Sequence, residues 1–89
     1  MHLLIDIGNS TVVGAIANDN GEIVSTWRFD TIKNQTTDYY IDNLKSGLCA
    51  CGIEPSDIDK TAISSVVPEL NNRFVDAVSK ITGGEPRFF

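Results

Sequence analysis

The sequence predicts an α/β domain built on a mixed sheet. Residues 2–29 hold three apolar segments joined by tight turns, two later stretches repeat apolar residues at helical spacing, and short apolar runs stand between and after those stretches.

The first strand is predicted over 2–8, with Leu3, Ile5 and Ile7 on one face and Leu4 and Asp6 on the other. A second, over 11–17, alternates Val12, Gly14 and Ile16 with Val13, Ala15 and Ala17. Apolar residues on both faces predict strands in the middle of a covered sheet. Asn18-Asp19-Asn20-Gly21 then signals a tight hairpin turn. The third strand, 22–29, sets Ile23, Ser25, Trp27 and Phe29 against Val24, Thr26 and Arg28. The three form an antiparallel meander.

Residues 30–36, DTIKNQT, are a polar connection. Thr36 or Thr37 is a candidate helix cap, and Asp38 suits the positive end of the helix dipole. Tyr40, Ile41, Leu44, Leu48 and Cys51 give the helix one apolar stripe, and Gly52 is placed to end it in a left-handed conformation. After the turn-rich EPSDIDK, residues 61–67 predict a short buried strand. Pro68 suits the start of a second helix, with Leu70, Phe74, Ala77, Val78 and Ile81 inward and Gly83-Gly84 at its end. PRFF at 86–89 begins a further strand. The order β-β-β-α-β-α-β, with right-handed crossovers, is that of a ribonuclease-H-like half-domain with helices on its faces.

Length and composition bound the rest. Eighty-nine residues, 42% hydrophobic and 21% charged, make one globular domain with a small core. No apolar run reaches the roughly 18 residues of a membrane span, and no leader pattern opens the chain, so the expected location is the cytoplasm. The net charge is −5 and the basic residues are scattered, which argues against nucleic acid as a partner. Cys49 and Cys51 stand ~200° apart on a helix and do not converge on a metal; they read as small hydrophobes. His2 is the only histidine, which excludes a zinc site or a Ser-His-Asp triad built within this chain.

One stretch carries chemistry: LLIDIGNSTVVGAI. A carboxylate buried in a strand is costly without a cation or hydrogen-bond donors beside it. Asp6 is followed by Gly8, which permits a backbone conformation other residues avoid and lets another group approach closely, and by the short polar side chains of Asn9, Ser10 and Thr11. Successive N–H groups in such a turn make a concave anion site, and Asp6 is placed to hold Mg²⁺ directly or through water. An ordinary hairpin turn whose N–H groups Asp6 accepts would use the same residues. A metal-dependent nuclease would need several carboxylates on neighbouring elements, and Ser64-Ser65-Val66-Val67 offers none.

With STWRFDT and AISSVVPEL in order after LLIDIGNSTVVGAI, the chain resembles the N-terminal part of type III pantothenate kinases, within the acetate-kinase, sugar-kinase, Hsp70 and actin superfamily. The resemblance implies an ATP-dependent phosphorylation of pantothenate, toward coenzyme A. It places the ATP-phosphate loop at Asp6, Ile7, Gly8, Asn9, Ser10, Thr11, Val12 and Val13, with Asp6 as the magnesium-linked carboxylate. Ser10 stands where the family usually has threonine, and Gln35-Thr36-Thr37-Asp38-Tyr39 lacks the family's arginine and second acid. Ser64, Ser65 and Pro68 match the later segment, where strand packing and a helix start account for them equally well. The catalytic aspartate, the pantothenate pocket, the monovalent-cation (K⁺ or NH₄⁺) site and most contacts of the family's homodimer are expected beyond residue 89. Residues 1–89 are therefore expected to be one nucleotide-binding half-domain without its C-terminal half, inactive by themselves. The alternative is a non-catalytic nucleotide- or partner-binding module on the same half-domain.

Overall fold

The computed structural model describes residues 1–89. Strands β1 (His2–Ile7), β2 (Thr11–Ala17) and β3 (Ile23–Asp30) lead to helix α1 (Thr37–Ala50). Strand β4 (Lys60–Ser65), helix α2 (Asn71–Thr82) and the short β5 (Arg87–Phe88) follow. The five strands form one sheet in the order β3-β2-β1-β4-β5. β1, β2 and β3 pair antiparallel, while β4 runs parallel to β1 and β5 parallel to β4. The expected element order and mixed sheet are both present.

The register fixes which residues share a face. Leu3, Ile5 and Ile7 lie level with Ile16, Gly14 and Val12 on β2, and with Thr61, Ile63 and Ser65 on β4. Both helices cover this face: Tyr40, Leu44 and Leu48 of α1 and Phe74, Ala77 and Val78 of α2 join Leu3, Ile5, Ile7, Val12, Ile16 and Ile63 in one buried cluster. The Tyr40 and Phe74 rings meet 4.7 Å apart at 41°, tying the two helices together. Burying each such side chain stabilises the fold by roughly 1.5–3 kcal/mol. Trp27 of β3 is held between two glycines. A Cβ on Gly14 would come within 2.5 Å of its ring, and one on Gly47 within 2.0 Å. Only residues without a side chain let β2 and α1 close on the indole.

The other face carries Leu4, Asp6, Val13, Ala15, Ala62 and Ser64, and neither helix touches it. The expectation that β1 and β2 are covered on both faces thus holds for one face.

Several boundaries moved for physical reasons. β1 ends at Ile7, because Gly8 turns its N–H onto the Thr11 carbonyl, 3.0 Å away. β4 ends at Ser65, after which Val66 swings out to 64% exposure and Val67 returns to the core. Pro68 opens a 3₁₀ turn, Pro68–Leu70, and the α-helix begins only at Asn71. Thr36 is the N-cap of α1 but makes no side-chain cap bond. Cys51 lies just past α1, with its Sγ donating to Ser25 Oγ at 2.9 Å. Gly52 (φ 72°) then ends the helix as expected: its N–H bonds the Cys49 carbonyl, and that of Ile53 bonds Leu48.

Candidate functional site

Asp6 stands at the C-terminal end of the central strand, level with Val13 on one side and Ser64 on the other. Its carboxylate is exposed on the uncovered face, which corrects the expectation of a buried acid. It makes no ion pair, and no other acid stands in its row. Nowhere in the chain do three or more His, Cys, Asp or Glu side chains come together as a metal cluster. Two-metal nuclease chemistry therefore lacks its donor set. A single free carboxylate at the foot of a loop fits a different role: Mg²⁺ commonly takes one or two protein carboxylates and fills its remaining positions with water and phosphate oxygens.

The loop between β1 and β2 spans residues 8–10. Gly8 does not adopt positive φ; of the two uses expected of it, an unusual backbone and a close approach, the structure shows the second. Its requirement is steric, since a Cβ there would come within 2.9 Å of the Thr11 carbonyl oxygen. The Gly8 N–H is spent on that carbonyl, so it is not a donor to a ligand. The N–H groups of Asn9 and Ser10 have no partner within the protein, and both residues are exposed. Of the eight residues predicted for the phosphate loop, Ile7 and Val12 are fully buried in the core and reach a ligand only through their backbone. Asp6, Asn9, Ser10, Thr11 and Val13 keep accessible side chains.

Beside Asp6 the uncovered face forms a depression of about 340 Å³. Leu4, Val13, Ala15 and Ala62 floor it, Asp6 and Ser64 supply its polar groups, and Phe89 stands over it, 87% exposed. Arg28, level with Val13, is exposed and forms no ion pair.

The sequence reading missed Thr31. Its hydroxyl donates to the Gly8 carbonyl at 2.8 Å, and its N–H to the Ser10 carbonyl at 2.9 Å. Nothing in the sequence marks a partner 23 residues away; only the antiparallel pairing of β2 with β3 brings Asp30 level with Thr11 and so sets Thr31 against the loop.

Comparison with solved structures defines the class. The structure is similar to a ROK family glucokinase from Streptomyces griseus in complex with glucose and AMPPNP, with a TM-score of 0.59 at 16% identity, covering 97% of this chain and 31% of that one. It is also similar to the Ppx/GppA family member of Aquifex aeolicus, with a TM-score of 0.55 at 17% identity, covering 99% of this chain and 34% of that one. The fold is ribonuclease-H-like, in its actin-like form.

Sequence narrows the class to a family. The sequence model of type III pantothenate kinase matches residues 2–89, and the chain belongs to that family. Among curated type III pantothenate kinases, that of Finegoldia magna is 38% identical over 84 residues, 94% of this chain and 32% of the relative. That of Dictyoglomus turgidum is 40% identical over 86 residues, 97% of this chain and 33% of the relative. The chain thus spans about a third of the length of the relatives it matches. No helix in it is long and apolar enough to cross a membrane.

Proposed function

We propose that residues 1–89 form a single half-domain that binds the phosphates of ATP, and that in a protein of the relatives' full length it serves the phosphorylation of pantothenate in the cytoplasm. The observation that supports this is the pairing of two unpartnered amides, Asn9 and Ser10, with an unpaired carboxylate, Asp6, at one corner of an uncovered sheet face. Backbone N–H groups left free in a loop favour an anion, and hydrogen bonds to a charged acceptor are worth about 1.5–3 kcal/mol each. The Ser10 and Thr11 hydroxyls add donors beside them.

Asp6 would hold Mg²⁺ directly or through water, and the ion would supply positive charge against the phosphates. The chain's own task is placement: the loop fixes the phosphates, and the depression beside Asp6 leaves room above the sheet for the rest of the ligand. The base for the pantothenate hydroxyl, the monovalent cation and the dimer contacts are assigned to the remaining two thirds of such a protein.

Titration with a non-hydrolysable ATP analogue tests the assignment. Binding should require Mg²⁺, and Asp6→Asn should abolish that requirement along with most of the affinity. Equal affinity with and without Mg²⁺, or in Asp6→Asn, would sink it.

The exposed apolar floor of the depression supports a second reading, in which this face docks a polypeptide and the loop only senses nucleotide. Leu4→Asp separates the two: a carboxylate in the depression should weaken analogue binding under the first reading, where the ligand lies over that floor, and leave it unchanged under the second.

A further inference from the structure

Three consecutive residues at the end of β3, Asp30, Thr31 and Ile32, form a strut between α1 and the loop at residues 8–10. The Tyr39 hydroxyl donates to the Asp30 carbonyl at 2.9 Å, and the Tyr40 hydroxyl donates to the Ile32 carbonyl. Between these anchored carbonyls sits Thr31, which holds the loop at two points, the carbonyls of Gly8 and Ser10.

The consequence follows from peptide geometry. In a trans peptide the carbonyl of one residue and the N–H of the next lie in one plane and point in opposite directions. The Gly8 carbonyl and the Asn9 N–H belong to the same peptide unit, as do the Ser10 carbonyl and the Thr11 N–H. A hydroxyl that pins the Gly8 carbonyl toward Thr31 therefore turns the Asn9 N–H away from Thr31, where it finds no protein partner.

We infer that Thr31 is a positioning residue: its hydroxyl sets the Gly8-Asn9 peptide so that the Asn9 amide points outward, ready for a phosphate oxygen before ligand arrives. The inference rests on the proposed phosphate-binding role of the loop and adds a residue outside it. Preorganised donors bind more tightly because the ordering cost is already met in the free protein. Tyr39 and Tyr40 act one step further back, by holding the strut to the helix.

Thr31→Val removes the hydroxyl at nearly constant shape and leaves the Thr31 backbone bond to Ser10 in place; Thr31→Ser restores a hydroxyl. Amide ¹⁵N relaxation reads the loop directly. In Thr31→Val the Asn9 order parameter should fall from the rigid value of about 0.85 to below about 0.6, with β1 and β2 unchanged and recovery in Thr31→Ser. Affinity for Mg²⁺ and a non-hydrolysable ATP analogue should drop about five- to tenfold in Thr31→Val and return in Thr31→Ser. Should Thr31→Val not fold, Tyr39→Phe loosens the same strut and should mobilise Asn9 in the same direction. An Asn9 amide as ordered in the folded variant as in the parent, an unchanged affinity, or a serine that fails to rescue would overturn the inference. If the unmodified chain binds no analogue, the nucleotide reading fails by itself, and the Asn9 order parameters still decide whether Thr31 clamps the loop.

Discussion

The two faces of the sheet are made by the same strands and obey different rules. On the face under α1 and α2, Leu3, Ile5, Ile7, Val12, Ile16 and Ile63 are all but fully buried. Two residues there without a side chain, Gly14 on the sheet and Gly47 on α1, are required by the ring they touch. On the opposite face the same β1 presents Leu4 and Asp6 among small residues, with an acid that no partner neutralises. The first face is specified by packing within the chain. The second is left open by the chain's own elements, and under the proposed function a ligand lies over it.

The sharpest contrast is a pair of truncations. Phe74→Ala on the covered side should cost about 3–5 kcal/mol, close to the whole stability of a domain this size, because the cavity cannot collapse between two helices and a sheet. Leu4→Ala on the open side should cost less than about 1 kcal/mol. Urea melts of both variants measure this; equal losses would erase the distinction between the faces. Next in size, Gly47→Ala should destabilise by about 1–3 kcal/mol, since its Cβ would overlap the Trp27 ring. Adding Trp27→Leu should recover part of that loss, which a double-mutant cycle would show.

Tyr40→Phe should cost about 1 kcal/mol at neutral pH through loss of the bond to the Ile32 carbonyl. It should also change the alkaline limb. Burial raises the Tyr40 pKa above its ordinary 10.0, against the pull of the Arg73 guanidinium. A raised folded-state pKa means the stabilisation is fully present below the unfolded value and is lost as pH climbs through the folded one. Melts above pH 10 should therefore fall less steeply in Tyr40→Phe. Smallest in stability is Asp6→Asn, expected within about 0.5 kcal/mol of the parent because the carboxylate has no protein partner. A large stability change there would mean that Asp6 belongs to the scaffold after all.

Much of the covered face was legible in the sequence. Period-two alternation gave the inward residues of β1 and β2, and helical spacing gave Tyr40, Leu44, Leu48, Phe74, Ala77 and Val78, because burial by neighbours in the same domain writes itself as periodicity. Ile81 was expected on the same stripe and is only partly buried, packed against the core from outside. The loop was also legible as a polar turn between apolar strands, and the order of its segments carried the family. What stayed hidden depended on residues distant in sequence. The exposure of Asp6 follows from the absence of a second helical layer on that face. That the group approaching Gly8 closely is the Thr11 carbonyl, and that Thr31 grips the loop, both come from strand pairings that no local pattern announces.

Trp27, wedged between Gly14 and Gly47, is the chain's single tryptophan, and its indole nitrogen is buried without a partner. The protein therefore carries an intrinsic optical reporter at the seam between helix and sheet. Its emission should shift to the red as soon as α1 lifts from β2, and so it times the docking of that helix during folding without any added dye.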